Sequence, residues 1–598
     1  MFRLLKSWKK LLQPVFSIKM EVTKSNFPDA LKILKSSIKK ADFISIDGEF
    51  TGLSTLKGRG LTYDTMEEKY EKLRKGSSEF MLVQYGICLF TWNDENEKYE
   101  AMPFTFYIFP RPYKRFFNDV MFMCQSSSID FLVSNGFDFN KLFCEGVSFM
   151  TPWEQKKAEV RLNKELSFLS NKNEKSEKSI IQEKKDSEEP TKSGIFIPKD
   201  QREYIEKICE LVNDFVNESE ELSLDLPTGT AFQRKLIYEK IEEKYPMGLY
   251  LESAVNENKQ KFIRVLKVTA RDNERKREEK YQREVEDLDE VIGFTKVMNL
   301  LAESKKPIIG HNMFYDLFFT VTHFFSQPPP ILHDYKLLLT SLFPLIIDTK
   351  LMSTTQPLQQ KCSGTSLKAL MNCIEDDRLP KPNIVDSTVT EDHVESSKQY
   401  HQAGHDAYCT GFIFISLAKC LFESVNVDLK QIDFTNDVLT PFVNRINILG
   451  IRDIKYMDIT GEDKTPCREH VFQLNFPTGW KETDFVDLFS PICLLSRPTV
   501  WINESSVYVT LADKEKSKEV IKILVRNGKP TDSYQVIPYV NDSNSTVVAC
   551  KSPILEEKSS KRKGKRDHTE IEDGELESDD GEDDKVKKQK MFKEADDW

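Results

Sequence analysis

Five residues stand out by type and by setting. In "DFISIDGEFTGL" (residues 42–53), Asp47 and Glu49 lie two positions apart at the end of a run that otherwise reads as a buried strand. That spacing puts both carboxylates on one face of a strand, where they can share a divalent cation. Paired carboxylates repel each other unless a metal or partner neutralises them. Taken alone, the pair is also what a solvated strand end looks like. Two later segments shift that balance. "PIIGHNMFYDLFFT" sets Asp316 among apolar residues near a helix start, where an unpartnered carboxylate is expensive. "YHQAGHDAYCTGFIF" sets His401 and Asp406 at the opening of a helix that turns strongly apolar. Four acids and a histidine thus occupy otherwise apolar places, the residue types that bind divalent cations and move protons.

The elements that must carry these residues follow from the pattern. Residues 42–47 predict a strand by β-branched and aromatic content, "EFMLVQYGICLF" (79–90) a second, and "AMPFTFYIFP" (101–110) a third that Pro110 stops. Strands so closely spaced predict an antiparallel meander. "DEVIGFTKVMNLLAES" (289–304) predicts an amphipathic helix running into "KPIIGHN", a short buried strand ending in a polar turn. Strands followed by helix, strand and helix imply an α/β sheet covered by helices. Residues 164–200 are rich in Lys, Glu and Ser and read as a mobile linker. Beyond it, two helical patterns and the strands "LYLES" and "KFIRVLKV" form a small α/β unit inserted into the larger domain, and residues 268–288 a charged, solvated helix. A third unit starts near 437, and its order β-α-β-β-α is that of an RNA recognition motif. The expected division is an extension over 1–19, a main domain over 20–160 and 269–425, a linker over 161–200, an insert over 201–268, an RNA-recognition unit over 437–530 and a disordered tail over 531–598.

Length and composition bound the function classes. A chain of 598 residues exceeds one compact core, so several domains are expected. A net charge of −11 argues against a generic nucleic-acid binder, but residues 556–598 hold 16 acids against 11 bases, which leaves about −6 for the body. The 11 cysteines are scattered, without C-x-x-C or a Cys/His cluster of zinc spacing, and read as those of a reduced, intracellular protein. No uninterrupted apolar stretch approaches the roughly 18–20 residues of a membrane span. "TGFIFISLAKCLF" reads as a buried helix, and no membrane partner is expected.

D-x-E on a first strand, a G-H-N-x-x-x-D segment and H-x-x-x-x-D on a late helix together resemble the DEDD exonuclease superfamily, in the subgroup whose extra member is His. The strings "ISIDGEFTGL", "CQSSSIDFL", "GFDFNK", "GHNMFYD", "DTKLM" and "HQAGHDAY" resemble its poly(A)-degrading branch, from about Met20 to about residue 530. The resemblance implies an α/β fold: an RNase H-like exonuclease domain with an inserted R3H domain, then an RNA recognition motif and a disordered tail. It implies a 3′→5′ exoribonuclease that degrades the poly(A) tails of mRNA and releases 5′-AMP. It also implies two divalent ions, Mg²⁺ by expectation, about 3.5–4 Å apart at the attacking water and the leaving 3′ oxygen. By the same carry-over Asp47 bridges the ions, Glu49 and Asp406 complete the water side, and Asp316 supports the leaving-group side. His401 takes the proton from water, a task suited to its near-neutral reference pKa. The separation in the family motif selects His401 over His405, the neighbour of Asp406. His311 reads as a hydrogen-bonded structural residue and Asp348 as a strand-end cap. Phe50 is a candidate for stacking on terminal bases, or an ordinary core residue.

The accessory segments depart from their patterns. The R3H domain is named for Arg-x-x-x-His, and here Arg234 is followed one turn on by Tyr238. Such a pair can still hold phosphate and base, and a plain solvated helix is the alternative. Phe472 stands at the aromatic position of the first strand of the RNA recognition motif, whereas the third strand keeps Tyr508 and has Ser506 where a stacking aromatic is usual. Trp501 aligns with a Trp that, in the resembling family, stacks on the methylated guanine of the mRNA 5′ cap, and Trp suits a cationic base. A Trp packed against a neighbouring helix is the alternative. The family implies single-stranded poly(A) RNA as substrate and a homodimer formed through the nuclease domain. Residues 1–19, with five bases and no acid, resemble a mitochondrial presequence. Because the resemblance begins at "MEVTKSNF", we prefer Met20 as the working start. "KSSKRKGKR" (558–566) has the composition of a nuclear localisation signal or a basic linker, and residence in nucleus and cytoplasm is expected. Two rivals stand: an exonuclease acting on oligoadenylated ends of non-coding RNA, and an RNA-binding protein with an inert nuclease domain, against which the complete acid–histidine set argues.

Overall fold

The structure is a computed structural model that describes residues 20–54, 63–113, 120–163, 197–245, 248–386, 401–427, 430–526 and 534–539. The expectations for residues 1–19, for most of the linker and for the tail beyond 539 lie outside the described residues. Two compact units are present, one within Met1–Phe109, Val120–Val147 and Lys296–Trp598, the other within Pro110–Asp119 and Ser148–Thr295.

In chain order the first unit opens with β1 (Met20–Val22), β2 (Phe43–Phe50), β3 (Leu82–Asn93) and β4 (Lys98–Tyr107), and the second holds β5 (Ser223–Asp225), β6 (Leu249–Val255) and β7 (Lys261–Lys267). The chain returns with β8 (Ile308–Gly310), β9 (Ile346–Asp348), β10 (Ile384–Asp386), β11 (Arg445–Asn447) and β12 (Tyr456–Asp458), and ends in β13 (Val471–Asn475), β14 (Leu495–Asn503), β15 (Ser506–Leu511) and β16 (Gln535–Pro538).

The main sheet runs β1-β4-β3-β2-β8-β9-β11-β12, with β10 also on β4. β2, β3 and β4 form the antiparallel meander, and β8 adds to β2 in parallel with Ile44 opposite Ile308. β3 is apolar on both faces, buried along its first nine residues, which is the pattern of a strand with cover on each side. Much of that cover is the helix Ala403–Ser424, packed on β2, β3 and β4. By length and composition this helix could cross a membrane, but 72% of its most apolar window is buried in the protein. Its Phe414 meets Phe43 edge-on at 5.2 Å, and Phe43 stacks on Phe90 at 4.7 Å. Truncating such a fully buried ring costs about 3–5 kcal/mol.

Three boundaries differ from expectation. The single helix predicted over 289–304 is two, Ala270–Ile292 and Thr295–Ser304. Gly293 separates them at φ 41, and a Cβ there would lie 2.2 Å from Ser148 O, so the chain turns where glycine alone fits. The main sheet does not end near residue 425. β11 and β12 extend it, and the turn before them is pinned by Asn444 Oδ1, which accepts the Ile346 N–H at 2.9 Å. The terminal four-stranded sheet, ordered β14-β15-β13-β16, is closed by a strand past residue 530, where loss of structure was expected.

In the second unit, β5, β7 and β6 form an antiparallel sheet. The helices Lys199–Glu218 and Ala231–Lys244 close its core through Ile208, Val212, Ile237 and Val265. Thr230 and Gln233 make a capping box that starts the second helix.

Candidate active site

β2 delivers two acids to the end of the sheet. Asp47 is half-buried and Glu49 is 9% exposed, and across the strand pair Asp47 faces Gly86 and Glu49 faces Gln84. Asp316 comes from the first turn of the helix Phe314–Phe324 and is buried. Gly48 gives it room, because a Cβ at that position would sit 3.0 Å from Asp316 Oδ1. Asp406 comes from the first turn of the helix Ala403–Ser424, and its Oδ2 accepts the His401 N–H at 2.9 Å. His401 adopts φ 70, a left-handed conformation that few non-glycine residues take, and its ring meets Phe131 edge-on at 4.6 Å.

Glu49, His401 and Asp406 each present one ligand atom, all within 4.8 Å of one another. Asp316 Oδ1 and Asp406 Oδ1 are buried with no hydrogen-bond partner among the described residues. Buried acceptors left without donors are expensive, and here they belong to carboxylates that repel each other. Burial pushes Asp316 and Asp406 up to about 7, with the charge of Asp348 adding to the rise at Asp316 and the His401 N–H opposing it at Asp406. Asp47 is raised well above its ordinary value, by burial first and then by the charges of Asp406, Asp316 and Glu49. Glu49 is raised likewise, by burial and then by Asp406 and Asp316. Carboxylate oxygens with one imidazole and no thiolate suit a hard divalent cation, which would supply the positive charge these groups lack.

The neighbouring candidates have other partners. His405 Nε2 lies 3.4 Å from Cys409 Sγ, one turn along its own helix. His311 pairs through Nδ1 with Thr349 Oγ1 at 2.9 Å, and burial lowers it to about 3, so it stays neutral. Asp348 is fully buried and accepts the N–H groups of Asn312, Met313, Lys350 and Asn447 at 2.9–3.2 Å, which shapes the G-H-N turn ahead of Asp316. Phe50 stacks on Phe319 at 4.7 Å.

In the terminal domain the outcome differs by residue. Phe472 is fully buried in the core with Leu474, so it offers no surface for a base, and the expectation of a stacking role is corrected. The alternation of β13 puts Gln473 and Asn475 on the other face. Tyr508 is on that open face, but Tyr63 and Tyr539 meet its ring edge-on at 5.5 and 5.7 Å. Arg468 lies between the rings of Tyr63 and Tyr539, 5.6 and 5.4 Å from their centres, and pairs with Asp453 at 2.7 Å. The face of this sheet therefore seats Tyr63, a residue far away in sequence. Trp501 is half-buried, edge-on to Phe476 and Phe485, and lines a pocket of about 530 Å³ with Thr478, Gly479, Ile502, Asn503 and Glu504. In the second unit Arg234 donates to the carbonyls of Gly229 and Lys261, and Tyr238 packs on the core, its hydroxyl raised to about 12 by burial. Both side chains are engaged within the fold.

Sequence reasoning passed over Gly48, Gln84, Gly86 and Phe131. Gln84 and Gly86 sit inside a run that reads as plain strand. A polar residue and a glycine two apart within it were the available signal.

Comparison with known proteins agrees with this geometry. Residues 22–414 match the CAF1 family ribonuclease model, and residues 461–542 match an RNA binding domain. The poly(A)-specific ribonuclease PARN of Xenopus laevis is 35% identical over 536 residues, covering 88% of this chain and 83% of that protein. PARN of Homo sapiens is 35% identical over 523 residues, covering 87% and 80%. The pre-piRNA 3′-exonuclease trimmer of Bombyx mori is 28% identical over 461 residues, covering 74% and 80%. The family match runs from the end of β1 into the helix that carries Asp406, and this chain accordingly belongs to the CAF1 family of ribonucleases.

Proposed function

We propose that the protein is a divalent-metal-dependent 3′→5′ exoribonuclease that shortens poly(A) tails and releases 5′-AMP. The observation that carries this is the meeting of Glu49, His401 and Asp406 beside the half-buried Asp47 and the buried Asp316. The kinship with PARN proteins along most of the chain supplies the substrate class.

Glu49 and Asp406 would hold one ion and Asp316 a second, with Asp47 shared between them, and Mg²⁺ is the cation we infer. When bound, such ions supply a nucleophile at neutral pH and charge stabilisation at the phosphate. His401 takes the proton from the attacking water, and Asp406, through the His401 N–H, fixes where the imidazole stands. Phe131 against the ring limits its other rotamers. Burial of the acids keeps bulk water from screening the site.

The further parts of the reading rest on lesser supports. The Trp501 pocket is where we place a methylated cap. Homodimer formation is supported by exposed apolar side chains at Val120, Met121, Met123, Val133 and Phe143, with Met121 92% exposed. We read residues 201–268 as an R3H domain on their helix and strand order, and the basic run 558–566 as a nuclear signal. A second reading, trimming of the 3′ ends of small non-coding RNA, draws on the kinship with the Bombyx mori pre-piRNA trimmer.

The test is digestion of two RNAs that differ in their 3′ ends, one A-tailed and one of mixed sequence, with nucleotide products resolved. Preferential loss of the A-tail with 5′-AMP as product supports the proposal. Equal trimming of both ends contradicts the poly(A) preference.

A further inference from the structure

We propose that Gln84 is a positioning residue that holds the histidine-bearing turn over the carboxylates; the proposal rests on the nuclease reading above. His401 is in a left-handed conformation, which persists only where surrounding structure over-determines it. Gln402 opens the following helix with no side-chain cap of its own. The first N–H of that helix, at Ala403, therefore lacks an intrahelical partner. Gln84 Oε1 accepts it at 2.8 Å, and Gln84 is 1% exposed.

The same glutamine stands opposite Glu49 in the β2–β3 register, and cross-strand neighbours share a face. Two residues on, Gly86 stands opposite Asp47, and a Cβ there would fall 1.8 Å from Ala403 O. Gly86 thus lets the helix start rest on the strand, and Gln84 ties it there. Ser45 Oγ donates to Ala407 O at 2.5 Å, a second tie one turn further along. The carboxylate of Asp406 and the amide of Gln84 both anchor the turn carrying His401. Asp406 is also a candidate metal ligand, so of these two Gln84 is the one whose service is positional.

The experiment compares wild type, Gln84→Leu and Gln84→Glu in steady-state shortening of A-tailed RNA, with hydrogen exchange of residues 401–407 measured alongside. Gln84→Leu removes the acceptor at similar size. It is expected to lower kcat by ~10²-fold with KM for RNA unchanged, as a small misplacement of a reacting group does. Exchange in 401–407 should quicken. Gln84→Glu keeps an acceptor for the Ala403 N–H but sets a further carboxylate opposite Glu49, so it should retain the protection of 401–407 while losing kcat. Should Gln84→Leu not fold, Gln84→Asn, one methylene too short to reach Ala403, takes its place with the same expectations. Wild-type kcat in the Leu variant, exchange in that variant unchanged from wild type, or equally quickened exchange in the Leu and Glu variants overturns the proposal. If wild type itself releases no 5′-AMP, the nuclease reading fails while the exchange data still judge the anchor.

Discussion

Replacing Asp406 by Asn should make the metal-free protein more stable at alkaline pH while removing its activity. Asp406 is buried, its Oδ1 is without a partner among the described residues, and burial lifts its pKa from 3.8 to about 7. An acid that binds its proton more tightly folded than unfolded makes folding take up a proton. Stability therefore falls as pH rises from about 4 to about 7, and stays lowered above that range. Roughly three pH units at about 1.4 kcal/mol each give a deficit of ~4 kcal/mol. Asparagine has the same shape and no charge, and its amide oxygen can still accept the His401 N–H. It also relieves Asp47 and Glu49, both of which the Asp406 charge pushes upward. Denaturant unfolding in chelator at pH 5 and pH 8 measures the effect. The advantage of Asp406→Asn over wild type should widen by about 3 kcal/mol between those two conditions. Divalent cation should then stabilise wild type and do less for the variant. A variant no better at pH 8 than at pH 5 would refute the picture of a carboxylate whose charge burial opposes.

Other residues give sharper separations between folding and function. Phe472→Ala should lower the stability of the RNA-binding domain by ~3–5 kcal/mol, read by thermal unfolding, because the ring is fully buried. Its RNA affinity, measured on the folded fraction, should be unchanged. Trp501→Ala should weaken binding of a methylated cap analogue by ~1–3 kcal/mol in a fluorescence titration while leaving shortening of uncapped RNA intact. Trp501→Phe, which retains contact with Phe476 and Phe485, controls for packing. Arg468→Met should destabilise by ~3–5 kcal/mol in denaturant unfolding, because it strands Asp453 and the carbonyls of Tyr63 and Asp64.

The acids were legible because each stands within or at the edge of an apolar run, and such breaks need a compensating reason, whereas His401 was set apart from His405 by the spacing of the family motif. The meander was legible because β2, β3 and β4 are long and rich in β-branched and aromatic residues, and a short turn joins β3 to β4. What was hidden is tertiary. β11 and β12 are three residues each, too short for alternation to register, and they join the sheet through Asn444 and Asn447. The break at Gly293 follows from close approach to Ser148, which no local pattern records. Phe472 was placed on the open face by analogy of position, whereas the strand's alternation against Leu474 puts it inside. Tyr508 kept an aromatic of the expected type, but its partner is Tyr63, distant in sequence and met only on folding. Gln84 escaped notice for a related reason. Within a strand a single buried polar residue is silent until the donor it serves, the Ala403 N–H, is seen.

The most direct test of the account follows 5′-AMP release from an A-tailed RNA by wild type and Asp47→Ala, each with Mg²⁺ and with excess chelator. The account predicts release by wild type in Mg²⁺ and none in the other three conditions. Shortening that persists in chelator, or in Asp47→Ala, would contradict a hydrolysis that depends on cations held by these carboxylates.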